Sequence, residues 1–237
     1  MLVSVSKVRN YIGLMLKCGV RNLEVLLPAF EFLSRHGCAN SSLVLGEYYR
    51  TGNLLDFDGS EFLKRRQLIC PRRYRTPNAK KAELYLKKAC RQGCGVAQYY
   101  LMALYVSLLE CEKACYCGKR ALPHLTREMR GCCYHALGYL YYNFNTAKDA
   151  KGIAVDYWRK AARCGNGTAV YELGVLYMFG ENVRCNLKRA RKYFEKCILL
   201  NNFCVSNAKR KLKKLRQQVS WQQEGQAARG SEINDTV

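Results

Sequence analysis

The feature that most constrains this chain is a period of 36 residues. Leu101, Leu137 and Leu173 are spaced at 36, and Tyr105, Tyr141 and Tyr177 keep the same step. Gly93 and Gly165 lie two steps apart, and Gly37 lies one step plus 20 residues before Gly93. A fixed step of this length marks one supersecondary unit repeated along the chain. In 154–190 small and apolar residues recur at helical spacing, first through Ala161 and then from Ala169 to Tyr177. Gly165 falls between them, where a residue without a Cβ suits a helix C-terminus. Neither helix can bury its apolar stripe alone, so each pair needs neighbours. The pattern predicts an all-α fold: helix–turn–helix repeats stacked into an α/α superhelix, a solenoid with a concave side.

Taken in order, residues 1–22 place Val5, Val8, Ile12 and Met15 on one helical face and carry Lys7, Arg9, Lys17 and Arg21 without an acid. They read as an N-terminal amphipathic helix, either a cap on the array or a targeting segment. Residues 23–219 read as an array of about five helix pairs. An insertion at 51–78 interrupts it, opening on the turn signal Thr51-Gly52-Asn53 and closing on a Pro71–Pro77 loop. The pair over 117–142 is worn: Ala121, Leu122 and Leu125 hold its first inner face, yet Pro123 intrudes. Met102 stands in the column held elsewhere by Gly46, Gly138 and Gly174, which together with Pro123 predicts packing that is looser or locally bent there. Residues 220–237 have little to bury and read as a disordered polar tail.

The run Trp158-Arg159-Lys160-Ala161-Ala162, then Gly165-Asn166, Ala169, Leu173-Gly174, Tyr177, Gly180, Val183 and Ala190 resembles the Sel1-like repeat, a relative of the tetratricopeptide repeat. Ala82–Tyr105, with Ala89, Gly93 and Leu101, is the next best match. The resemblance covers roughly 24–50 and 79–217. It implies an adaptor or scaffold whose concave face binds another protein, with no enzymatic activity, no catalytic residue set and no cofactor. It also brings in cysteine-rich relatives, mitochondrial or secreted, and bacterial ones delivered into host cells. The repeat-defining packing positions are Gly37, Gly93, Gly165, Leu101, Leu137, Leu173, Tyr105, Tyr141, Tyr177, Ala89 and Ala161.

Charge supports a second reading. The chain carries 40 Lys+Arg against 18 Asp+Glu, a formal net charge of +22. The excess is concentrated in tracts 61–91 and 184–216. Arg72, Arg73, Arg75, Lys188, Arg189, Lys209, Arg210, Lys213 and Lys214 are candidate contacts to a polyanion, nucleic acid or anionic membrane. The plainer reading is a solvated outer face of helices.

The 14 cysteines admit three readings. Cys90 and Cys197 fall in small-residue columns, where cysteine acts as a small hydrophobe. An oxidised framework would show orderly intervals, but Cys90/Cys94, Cys111/Cys115 and Cys197/Cys204 do not recur from unit to unit. Zinc would need paired ligands with two to four residues between them; among Cys111, Cys115, Cys117, Cys132, Cys133, His124 and His135, the pairs Cys115/Cys117 and Cys132/Cys133 are too close to form good knuckles. No metal site is expected. With no secretory leader pattern and no apolar run long enough to span a membrane, reduced thiols in a cytoplasmic setting are expected. A mitochondrion or a host cell is the alternative.

Overall fold

Each helix of this chain has one stripe of small or apolar residues and a polar remainder, and such a rod is stable only against another rod. The computed structural model describes residues 4–17, 23–51, 77–145, 147–200 and 204–215, and every regular element among them is helical. The expectations for most of the insertion and for the tail fall outside the described residues. The chain divides into two compact units, Met1–Leu125 and Thr126–Val237. The first holds α1 (Val5–Lys17), α2 (Leu23–Arg35), α3 (Ala39–Thr51), α4 (Ala79–Arg91), α5 (Ala97–Ser107) and α6 (Cys111–Ala121). The second holds α7 (Arg127–Phe144), α8 (Ala150–Arg163), α9 (Gly167–Phe179), α10 (Leu187–Leu199) and α11 over 205–215. In the first unit α3 packs on α2 and α4, and α5 on α4 and α6; in the second α8 packs on α7 and α9, and α9 on α10. Thr51 is the last residue of α3 rather than the start of a turn.

The turn inside a pair is closed the same way three times. Gly37, Gly93 and Gly165 have φ of +86°, +92° and +92°, a region where a side chain would be strained. The following N–H then reaches back to the helix: Cys38 to the Leu33 carbonyl, Cys94 to Ala89 and Asn166 to Ala161, at 2.9, 3.0 and 3.1 Å.

Between pairs the contact is a bulky residue set against a glycine. A Cβ on Gly46 would lie 2.6 Å from Leu86 of the next helix. On Gly138 it would lie 2.5 Å from the Trp158 ring, and on Gly174 2.7 Å from the Phe194 ring. Small residues flank each knob one turn away: Ala82 and Ala89, Ala154 and Ala161, Ala190 and Cys197, all fully buried. Burying a side chain of the Leu, Phe or Trp kind contributes about 1.5–3 kcal/mol. The missing Cβ is what lets the ring seat against the backbone at all.

Met102 is buried, at 2% exposure, and the irregularity falls as a local bend at Pro123. The reason lies in α6. Pro123 cannot continue an α-helix, so α6 stops at Ala121 and a 3₁₀ turn spans Leu122–His124. The buried face of α6 is Ala114, Gly118 and Ala121, one turn ahead of the face expected around Ala121, Leu122 and Leu125. Its 4,3 spacing matches Ala82, Leu86, Ala89, with Gly118 at the knob position. By column and burial we infer that knob and glycine have exchanged helices here, which would let Met102 fill from α5 the space that Leu86, Trp158 and Phe194 fill from the other side.

Val5, Val8, Ile12 and Met15 of α1 join Leu26, Leu33 and Tyr48 in one apolar cluster, so the amphipathic face of α1 is covered by α2 and α3.

The exchange is testable by equilibrium denaturation of a double-mutant cycle. Met102→Gly should cost about 2–4 kcal/mol through the cavity it leaves, and Gly118→Leu about 1–3 kcal/mol through overpacking. The double variant should recover at least about 1 kcal/mol of the sum; strict additivity would refute the exchange.

Candidate functional site

The periodic tyrosines do more than fill space. Tyr49, Tyr105 and Tyr177 stand near the ends of α3, α5 and α9, and each main-chain carbonyl accepts from the N-cap of the following helix. The donors are Asn78, Glu110 and Asn186, at 2.7, 2.9 and 2.8 Å. That bond fixes where the next helix begins. The third residue of that helix then lies over the tyrosine ring: Lys81 over Tyr49 at 5.0 Å, Lys113 over Tyr105 at 5.5 Å, Arg189 over Tyr177 at 5.7 Å. A cation at that distance is attracted by the ring quadrupole. Tyr85 stacks on Tyr49 and Tyr193 on Tyr177, both 8° from parallel. At Tyr141 the neighbouring ring, Tyr157, is tilted by 37° rather than stacked, and the cation position holds Ile153.

Two of these tyrosines open onto cavities of opposite character. In the first unit a cavity of about 700 Å³ is bounded by α4, α5 and α6, with Cys90, Leu101, Tyr105, Tyr116 and Cys117 on its walls and Lys87, Arg91, Glu112 and Lys113 around them. Its charges are largely paired. The Tyr105 hydroxyl donates to Glu83 at 2.8 Å, Glu83 pairs with Lys87 at 2.6 Å, and Lys113 with Glu110 at 2.5 Å. Burial and the bond to Glu83 push the Tyr105 phenol well above its ordinary value. Gln98, also on the wall, has its side-chain oxygen buried without a hydrogen-bond partner.

In the second unit a cavity of about 620 Å³ lies beside the α9–α10 loop, lined by Arg159, Arg184 and Arg189 with Tyr177, Asn182, Val183, Cys185 and Asn186. None of the eight is acidic. Arg159 Nη2 donates to the Tyr177 hydroxyl at 3.3 Å and its Nη1 to Asp156 at 2.9 Å. The Arg159 guanidinium, helped by Arg189, holds the Tyr177 phenol below its ordinary value. Glu181 of the same loop is engaged elsewhere, accepting from the Tyr142 hydroxyl at 2.9 Å.

Of the repeat-defining residues, Leu101, Leu137, Leu173, Ala89, Ala161, Tyr105 and Tyr177 are buried and Tyr141 is half-buried, while Gly37, Gly93 and Gly165 are exposed in the turns. The basic candidates scatter. Lys188 and Arg189 are exposed on α10, and Lys209, Arg210, Lys213 and Lys214 are exposed on α11. Arg72, Arg73 and Arg75 lie outside the described residues. Sequence reasoning singled out neither the cation column, Lys81 and Lys113, nor the partnership of Arg159 with Tyr177. The signal was present, since Lys81 and Arg189 are three periods apart.

None of the twelve described cysteines is joined in a disulfide. Burial pushes Cys197 up to about 11 and Cys133 up to about 12, so both remain protonated at neutral pH. Among the described residues no three His, Cys, Asp or Glu side chains are grouped to hold a metal ion. His124 packs against Gly95, and burial holds His135 in its neutral form by lowering its pKa. No described helix is long and apolar enough to cross a membrane.

A stack of helix pairs with recurrent tyrosines and no strand among the described residues defines a helical-repeat protein. The solved structures sharpen this: the fold is that of Sel1-like repeats. A Sel1 repeat protein from Oxalobacter formigenes matches 76% of this chain at 23% identity with a TM-score of 0.55. A protective antigen present in uropathogenic Escherichia coli strains, described as displaying an SLR fold, matches 83% at 22% identity with a TM-score of 0.57. The chain spans 47% and 39% of those two chains. No family model and no curated protein matches the sequence.

Two measurements check the site. In a tyrosine NMR titration, with Tyr177→Phe for assignment, Tyr177 should ionise below an ordinary tyrosine and Tyr105 above it. Tyr177 thus contributes stability above the unfolded-state pKa that is lost as pH falls through its folded value; Tyr105 contributes stability at lower pH that is lost as pH rises. Arg159→Gln should move Tyr177 upward and leave Tyr105 in place. Under native thiol labelling, exposed Cys132 and Cys185 should react at least about a hundredfold faster than buried Cys133 and Cys197.

Proposed function

We propose that this chain is a protein–protein interaction adaptor, not an enzyme, and that its partner presents a segment to the concave face expected of such an array. The observation that carries the reading is the cavity of about 700 Å³ between α4, α5 and α6. Leu101, Tyr105 and the exposed Tyr116 give it the apolar and aromatic surface that anchors a partner side chain. With Lys87 paired to Glu83 and Lys113 to Glu110, the charges around it nearly balance, which favours a segment held by its apolar anchor rather than by net charge. The unpaired Gln98 oxygen supplies an acceptor for a donor on that segment, relieving a group that is costly to leave unsatisfied. A reducing, cytoplasmic setting suits thiols packed as small hydrophobes.

The polyanion reading rests on one observation, the four exposed cations Lys209, Arg210, Lys213 and Lys214 on α11. Phosphate contacts of that kind attract without specifying sequence, and their affinity falls steeply with salt.

A photo-crosslinking residue at position 116, introduced into the full chain, tests the adaptor. A discrete protein adduct should form, should persist at high salt, and should fall about tenfold with Leu101→Asp. Tyr139→Asp in the second unit should leave it unchanged. Adducts that form only from probes placed in 220–237, or retention that vanishes with salt, would count against the adaptor.

A further inference from the structure

We propose that the cavity beside the α9–α10 loop is a binding site for a phosphate monoester carried on a side chain of a partner protein. The argument starts from donors. A guanidinium only donates, so the Tyr177 oxygen, already accepting from Arg159, keeps its own O–H for an outside acceptor. At Tyr105 that O–H is taken by Glu83. Two periods on, the position of Glu83 is held by the buried Val155, so no carboxylate reaches Tyr177 from α8 at that place.

Charge then selects the class of acceptor. Arg159, Arg184 and Arg189 bring three positive charges to one cavity. The nearby acids are Asp156, which offsets part of Arg159, and Glu181, which turns to Tyr142. The lining itself carries three positive charges and no acid, and with Asp156 and the still-ionised Glu181 beside it the net surplus is about one to two, within reach of the charge of about −1.5 to −2 on a phosphate monoester. Three terminal oxygens also accommodate three separate donor groups, whereas a carboxylate offers two.

What carries the phosphoryl group follows from the rest of the wall. A base would need a bare ring face on which to stack, but the Tyr177 ring already stacks on Tyr193 and carries Arg189. The remaining lining, Asn182, Val183, Cys185 and Asn186, is small and neutral. It suits a short peptide segment. This identification of the carrier rests on the adaptor reading; the phosphoryl site itself does not.

The test is calorimetric titration of the full chain at constant ionic strength with phenyl phosphate, with benzoate, and with a phosphoserine pentapeptide and its unphosphorylated form. Phenyl phosphate should bind about tenfold or more tightly than benzoate, and Arg159→Gln or Arg189→Gln should each weaken it about tenfold. Arg184→Gln lies in a loop away from packed faces and should weaken it without touching the fold. Arg130→Gln, exposed on α7, should leave it unchanged. Equal binding of benzoate, or an equal loss with Arg130→Gln, would overturn the site. Binding of phenyl phosphate with no binding of the phosphopeptide would overturn the protein-borne source. Failure of the crosslink at position 116 reads the other cavity and leaves this titration unchanged, so the two ideas fail separately.

Discussion

Everything in this structure depends on how closely one helix pair can approach the next. Gly46, Gly138 and Gly174 bring the backbone of one helix within reach of Leu86, Trp158 and Phe194 on the following helix. A single methyl at any of these glycines would have to displace a packed side chain, and interiors at crystal-like density yield little. The contact therefore sets spacing and register together. Once the bulky residue is seated, the alanines or cysteine one turn to either side must be small. Cys197 obeys that rule as readily as Ala89 or Ala161, which explains a buried thiol without invoking chemistry.

The contact is also more tolerant than the repeat pattern suggests. What matters is one large and one absent side chain across the interface, and the assignment of each to a helix is free. Between α5 and α6 the columns read as reversed, with a large Met102 where the other helices carry glycine and Gly118 where they carry the knob. Methionine suits that task because its unbranched chain adapts to an irregular gap. The reversal goes with the early stop at Pro123. A slip of one turn keeps the same face of α6 turned inward, since four residues nearly complete 3.6, while it changes which residue sits at the knob.

Much of the fold was legible in the sequence because the constraint on the glycine and knob columns repeats at fixed intervals. Gly93, Gly165 and the leucine column needed no coordinates to be recognised as structural. The worn pair was legible only in part. Its period-based alignment assumed that α6 starts where its siblings do, and Pro123 breaks that assumption. The candidate sites were less legible still. Tyr105 and Tyr177 share one column, and periodicity marks them as equivalent packing residues. Their hydroxyl partners lie on a neighbouring helix, in columns where the residue changes from one repeat to the next. Basic residues were legible only in part. Density of charge along the chain marked tracts 61–91 and 184–216, whereas the convergence of charge in space joins Arg159 of α8 to Arg184 and Arg189 of the second tract.

Solenoid scaffolds acquire function by changing residues that the packing does not fix. The pair Tyr105 and Tyr177 shows how small such a change can be. The first phenol meets Glu83, so its proton is held and the surrounding charges are paired. The second meets Arg159, with Val155 in place of the acid, so the oxygen is occupied and the proton is available. The same ring, held by the same carbonyl bond and topped by the same kind of cation, ends with its pKa shifted in opposite directions. Exchange of a glutamate for a valine costs the scaffold little, because valine packs inward where glutamate reached outward. It converts a closed ion-pair network into an open cluster of donors. The repeat supplies the geometry and one column supplies the chemistry, so two tyrosines of one column end in surroundings of different charge.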